Sequence, residues 1–288
     1  MAAQNSANFE SKIKRNPHPD FKKVEASRPP FTTDPPAGTF HYVQTPEPNW
    51  TFGSGANHLA PAKPQPTSDD ASTTTTSKPT HRVIDPYAPT RPAHLNYTLL
   101  ISTIIPRPIC FLSTVSPAGL PNLAPFSYFQ MIGHDPPLFI IGFSGSLASP
   151  KDSLRNLVET KECVINIIGE DYLEAANACS VNAPYGVSEW EVSGLTMVRD
   201  CEVVSKVPRV GEAVFSVEGR LESVREFGSR AVEGKVGTTM AVVEGVRFWV
   251  RGDAVDEVGG KVDPAVSFYP SLACLGGVCV WGMGERAC

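Results

Sequence analysis

Hydrophobic and polar positions alternate in a strand-like way only after the segment DPYAPTRP, Asp85 to Pro92. Ile109 to Val115 is a short, nearly continuous apolar run of the kind that forms a buried strand. Ser116-Pro117-Ala118-Gly119 comes next as a turn, with proline presetting φ and glycine permitting a positive φ. Asn122 to Met131 is expected as the returning strand. Pro125 removes a ladder donor, so this strand is expected at an edge or with a bulge, broken at the proline. Leu138 to Phe143 is another apolar strand. Asp152 to Thr160 places Leu154, Leu157 and Val158 at helical spacing, Cys163 to Ile168 reads as a buried strand, and Asp171 to Cys179 as a second short helix. The long β-rich segments Ala213 to Arg225 and Thr238 to Val250 resemble barrel walls. Strands outnumber helices and the helices are short, which predicts a mainly β protein built on an antiparallel barrel with peripheral helices. A Rossmann fold is disfavoured, because regular βαβ alternation and a GxGxxG after the first strand are both missing.

Composition divides the chain in two. Of 27 prolines, 12 fall in residues 1–80, and TSDDASTTTTSKPT (Thr67 to Thr80) cannot bury enough apolar surface to fold alone. Residues 1–80 are therefore expected as an extended, low-complexity arm and linker, and residues 81–288 as the folded domain. That domain has 17 basic and 23 acidic side chains, with no basic block, which disfavours nucleic acid and anionic membranes as partners. No run is long and apolar enough to span a bilayer, and the N-terminus has no apolar signal region, so a cytoplasmic location is expected. Seven cysteines without a CxxC pair are expected as free thiols, and no Cys/His cluster has metal-site spacing.

The candidate chemistry is concentrated between Arg107 and Asn156. Ser149 reads as an N-cap, Pro150 as the first helical residue and Asp152 as the far half of a capping box, which makes an ordinary well-capped helix one reading. The other adds Lys151 and Ser153: helix-start N–H groups, a lysine and hydroxyls together make an anion cradle. In that case Asp152 pairs with Lys151 or caps backbone. Ser113 and Thr114 end a buried strand, while Asn122, Ser127 and Tyr128 flank the Pro125 break, where unpaired backbone groups can meet a hydrogen-bonding ligand edge. Phe126 and Phe129 suit the core better than ring stacking. His134 is a lone turn histidine, and no Ser-His-Asp or Cys-His set is readable, so the chemistry is expected from a cofactor.

The ordered series RPICFLSTVSPAGLPNLAPFSYF, DPPLFIIGFSG, SPKDSLRN, CVINI, PYGVSEWEVSGLT and PRVGEAVFSVEGRL resembles the flavin reductase-like family, whose fold is the FMN-binding split β-barrel. The resemblance covers roughly Asp85 to Gly284, and the extension before it looks like that of fungal members. It implies an FMN-binding flavoprotein (FAD being the alternative), usually a homodimer with the flavin near the interface. It also implies hydride transfer from NADH or NADPH to flavin N5, often serving a monooxygenase partner. The flavin set it implies is Ser113, Thr114, Asn122, Ala124, Pro125, Phe126, Ser127, Tyr128, Ser149, Lys151, Ser153 and Asn156. A flavin carrier or sensor without turnover, and an oxidase or reductase of a small organic substrate, remain open.

The C-terminal part departs from the family pattern. Cys274 stands where many members have arginine, and Trp249 lies in the strand where many have histidine. The Tyr common in the last barrel strand is missing from Val278-Cys279-Val280-Trp281. These differences predict weak use of a nicotinamide nucleotide, with Trp249 filling space above the flavin. Trp50 and Phe52 of the arm are expected as anchors on a partner subunit.

Overall fold

The structure is a computed structural model, and it describes residues 55–56, 81–180, 188–256 and 262, with the backbone of 274–275 and 278–279. The expectations for the arm, for Trp50 and Phe52, and for the side chain of Cys274 lie outside the described residues.

Helix α1 (Ala93–Thr103) precedes the sheet and is a correction to the strand-rich expectation for this stretch. It has no charged side chain to mark a polar face. Its C-terminal end is held by Arg107, whose Nη1 donates to the carbonyls of Ile101 (2.6 Å) and Ile104 (2.5 Å), satisfying acceptors that the helix leaves open. Strands β1 (Cys110–Val115) and β2 (Pro121–Phe126) form a hairpin across the expected turn, where Gly119 has φ +84° and donates to the Ser116 carbonyl at 2.8 Å. Strands β3 (Phe129–His134) and β4 (Pro137–Phe143) form the next hairpin, helix α2 spans Asp152–Thr160, and β5 spans Glu162–Ile167. A 3-10 turn (Glu170–Tyr172) leads into α3 (Leu173–Ala178), which divides the single helix expected there, and α4 (Glu189–Ser193) was not expected. Two-residue strands β6 (Met197–Val198) and β7 (Arg209–Val210) pair with each other. The long β8 (Phe215–Gly228) and β9 (Val236–Val250) complete the main sheet, and β10 (Cys274–Leu275) pairs with β11 (Val278–Cys279).

The seven main strands are antiparallel neighbours in the order β2-β1-β5-β8-β9-β4-β3. β2 and β3 therefore lie at opposite ends of the sheet, yet only Ser127 and Tyr128 separate them. Three Cα steps reach at most about 11 Å, so the sheet must curl until its ends meet. This closes a barrel and leaves its seam at Ser127–Tyr128. The seam is a second correction: Pro125 stays within β2, paired with Phe111, and the break falls after Phe126. Pro125 is tolerated because β2 is an edge strand. Gly142 donates to the Tyr128 carbonyl at 2.7 Å across the seam, and the Phe126 and Phe143 rings meet edge to face at 4.7 Å.

The closed sheet surrounds one core of Leu112, Phe139, Ile141, Phe143, Ile165, Val217 and Val243, with α2 inserting Leu154 and Leu157. Phe129 joins it by stacking on Phe139, which is the core role expected for it. Successive strand residues face opposite ways. Phe111 and Leu123 consequently point outward into a second core with Tyr172, Ala176 and Trp190 under α3 and α4. Val115 and Val164 meet Cys201, Val204 and Val207 in a third. Among the described residues no helix is long and apolar enough to cross a membrane.

Candidate functional site

The start of α2 is built differently from the capping box expected of it. Lys151, not Ser149, is the N-cap residue, and no side chain caps the helix. Ser149 instead donates its N–H to the Ser146 carbonyl at 3.2 Å, closing a small bridge in the loop before the helix. Asp152 forms an ion pair with Arg155 at 3.4 Å rather than with Lys151, and both side chains are exposed. The first-turn N–H groups thus keep their positive character without an internal acceptor. Lys151 is exposed beside them.

Four of the expected residues converge behind this turn. Asn122 on β2 donates its Nδ2 proton to Ser153 Oγ at 2.8 Å, and Asn156 donates to Thr114 Oγ1 on β1 at 3.2 Å. Thr114 and Asn122 are register partners, so the two bonds lie side by side and tie α2 to the β1–β2 hairpin. Ser153 and Asn156 are buried, and three-residue spacing puts them on one helix face. In each bond the hydroxyl oxygen accepts, which leaves its proton available as a donor. The resulting set of donors includes two hydroxyls, two amides, the uncapped turn and an ammonium. That chemistry fits a phosphate.

The other expected residues are distributed along β2 and the seam. Ala124, Pro125, Phe126 and Ser127 are half-buried and Tyr128 is exposed. Ser113 is different. It neighbours Thr114 on β1 and so faces the other side of the sheet, fully buried, with its Oγ unbonded. The structure does not bring it to the Thr114–Asn156 cluster. Glu189, at the start of α4, is a half-buried carboxylate against β2 that the sequence did not mark. Burial pushes its carboxyl up, N–H groups including that of Leu123 on β2 oppose the rise, and nearby Asp152 adds to it. Nothing in the spacing around Glu189 reveals it, because its partner is a backbone group 66 positions away in the chain.

Trp249 is not over the cluster. Its strand position pairs with Ser216, within the outward-facing set that contains Glu218. There its Nε1 donates to Glu218 Oε1 at 2.7 Å, and Arg209 lies over the indole at 4.9 Å. The indole is thus held by Glu218 and Arg209, on the side of the sheet away from the Thr114–Asn156 cluster. Glu218 also accepts the N–H groups of Glu202 (3.0 Å), Val203 (2.7 Å) and Val204 (2.8 Å). Burial disfavours its charge, but these donors win and hold the carboxyl below its ordinary range. The four described cysteines are buried and free, and burial pushes the thiols of Cys163, Cys179 and Cys201 up to about 12, which removes them as nucleophiles.

Residues 102–270 match the Flavin reductase like domain. The chain is 40% identical over 165 residues to an uncharacterized protein of Halalkalibacterium halodurans, covering 57% of this chain and 77% of that one. Two solved structures are similar in fold. Nitrilotriacetate monooxygenase component B from Bacillus cereus has a TM-score of 0.59 and 32% identity, covering 65% of this chain and 88% of that one. Pseudomonas fluorescens 2-nitrobenzoate 2-nitroreductase has a TM-score of 0.57 and 26% identity, covering 72% and 94% respectively. The chain belongs to the flavin reductase-like family, and its barrel is the split barrel of that family.

Proposed function

We propose, from that membership, that the protein is an FMN-binding oxidoreductase whose phosphate site is the start of α2. The observation that supports this most is the pairing of Asn122 with Ser153 and of Thr114 with Asn156 behind an uncapped helix turn and an exposed lysine. Bound flavin would supply the redox chemistry, taking hydride at N5 from NADH or NADPH. The chain's own part is to bind and orient. Lys151 and the first-turn N–H groups neutralise phosphate, and the Ser153 and Thr114 hydroxyls donate alongside them. Backbone groups of Ala124, Pro125, Phe126, Ser127 and Tyr128 along the open edge of β2 and the seam offer hydrogen bonds to the ring. Phe126 packs edge to face on Phe143, which gives this edge an apolar floor.

FMN is favoured over FAD because the donor set matches a terminal monophosphate. Residues 81–288 would form the flavin domain and residues 1–80 an arm and linker. A homodimer, a cytoplasmic location and a monooxygenase acceptor complete the proposal. The last is supported by the likeness to a monooxygenase component B. The likeness to a nitroreductase supports a second reading, in which a small organic molecule takes the electrons.

The test is binding and bleaching. Purified protein is expected to be yellow, or to bind FMN at about 1 μM or tighter. Lys151→Ala is expected to weaken FMN roughly ten- to hundredfold and to leave riboflavin unchanged, since a charge-assisted contact is worth about 1.5–3 kcal/mol. A folded protein that binds neither flavin ends this reading, and equal losses for both flavins remove the phosphate assignment. Anaerobic bleaching by NADH or NADPH then separates a reductase from a carrier.

A further inference from the structure

The loop that delivers Lys151 to the proposed phosphate site is fastened to β9, the strand beside the one it leaves, and to β8 beyond it. Phe143 ends β4, and residues 144–150 lead from it to the helix. The Gly145 carbonyl accepts the Oγ1 proton of Thr239 at 2.8 Å. Two residues on, the Leu147 N–H donates to Glu226 Oε1 at 2.6 Å. Thr239 and Glu226 are register partners on β9 and β8, so they stand side by side and grip the loop at two points. Thr239 is also the partner of Phe143 on β4, which ties the grip to the strand end. Thr239 is fully buried, and Gly145 holds φ +121°, a conformation suited to glycine that lets its carbonyl turn toward the threonine. Neither Thr239 nor Glu226 belongs to the expected ligand set, and neither is bonded to the Thr114–Asn156 cluster.

We infer that Thr239 and Glu226 are positioning residues that set the placement of Lys151 and the α2 turn, and so determine how strongly the protein prefers a phosphorylated flavin. This rests on the phosphate reading proposed for α2. The coupling is mechanical. The loop is exposed over residues 147–149 and has its own Ser146–Ser149 bridge, but that bridge is local. The bonds to Thr239 and Glu226 tie it to the barrel wall. Losing one lets the turn sample other positions, and misplacement costs the contact with phosphate while leaving the ring contacts on β2 in place.

The experiment measures FMN and riboflavin affinity for the full chain and for Thr239→Val, Thr239→Ser, Glu226→Ala and Lys151→Ala. Thr239→Val keeps the shape and removes the donor. Glu226→Ala, at an exposed position, serves if the buried variant fails to fold. Thr239→Val and Glu226→Ala are each expected to lower the FMN-to-riboflavin affinity ratio about three- to tenfold, the worth of one hydrogen bond, with riboflavin unchanged. Thr239→Ser restores the ratio. In the flavin-free protein, amide exchange at Leu147 is expected to speed up in Glu226→Ala. Wild-type ratios in both Thr239→Val and Glu226→Ala, or equal losses for both flavins, overturn the inference. If Lys151→Ala also leaves the ratio unchanged, the phosphate reading falls and this inference falls with it. If Lys151→Ala lowers the ratio and the two clamp variants do not, only the inference falls.

Discussion

Glu218→Gln removes a buried charge without changing shape, and the four donors around the carboxylate set the cost. Oε1 accepts the Glu202 N–H and Trp249 Nε1, and Oε2 accepts the N–H groups of Val203 and Val204. Both oxygens therefore face two donors. Whichever way a glutamine amide turns, its NH2 group confronts a pair of N–H groups, so two charge-assisted bonds are lost and donors oppose donors. At about 1.5–3 kcal/mol for each such bond, the expected destabilisation is about 3–6 kcal/mol. That is a large share of a typical domain stability of about 5–15 kcal/mol. The assay is urea unfolding monitored by Trp fluorescence and circular dichroism, repeated across pH. The folded carboxyl lies below its ordinary value. Its contribution is thus complete above the unfolded value of about 4.3, and it is lost as pH falls through the folded value. The wild type is expected to lose stability along this acid limb, and Glu218→Gln to have a shallower one. A variant within about 1 kcal/mol of wild type at pH 7, with an unchanged acid limb, would refute this account, because four donors would then be worth no more than one exposed bond.

The same geometry sets four other outcomes. Trp249→Phe removes one of the four donors to Glu218 and is expected to cost about 1.5–3 kcal/mol in urea unfolding, while FMN affinity stays unchanged because Trp249 faces away from the Thr114–Asn156 cluster. Gly142→Ala would place a Cβ 2.9 Å from the Tyr128 Cβ at the barrel seam, so a loss of about 1–3 kcal/mol is expected in thermal unfolding. Gly219→Ala would place one 2.5 Å from Val243 Cγ1 inside the barrel, and should cost at least as much by the same measurement. Asn156→Ala removes the tie to Thr114 and is expected to weaken FMN more than riboflavin in a fluorescence titration.

Legibility tracked the range of the interaction. β1, β4, α2 and β5 were readable because each is a short apolar run or helical stripe bounded by turn residues, and their observed ends fall within a residue or so of the expected ones. Helix α1 was not readable, since AHLNYTLLIST offers no charged face and is stopped by Arg107, a residue outside it. The capping box failed for a related reason. SPKDS satisfies the local pattern, but the Ser146–Ser149 bridge claims Ser149 and leaves Lys151 as the N-cap residue. Pro125 was rightly placed on an edge strand, whereas the break itself was set by topology: the strand must leave one end of the sheet and rejoin the other, and it does so where proline no longer constrains it.

The candidate site shows the same division one level up. Thr114, Asn122, Ser153 and Asn156 could be named from two nearby motifs because the hairpin and helix are close in sequence. Ser113 came with them from the family resemblance, and the pleat separates it from Thr114, since neighbours along a strand share no face. Thr239, Glu226 and Glu189 could not be named at all. Their partners are the carbonyl of Gly145 and the N–H groups of Leu147 and Leu123, and a backbone group has no residue identity to betray that it is being held. In a closed barrel these contacts are forced rather than incidental. The loop that leaves β4 passes the end of β9, its neighbour in the sheet, and of β8 beyond it. The ligand-facing residues of such a fold can therefore be sought in motifs, while the residues that aim them have to be sought across the strand register.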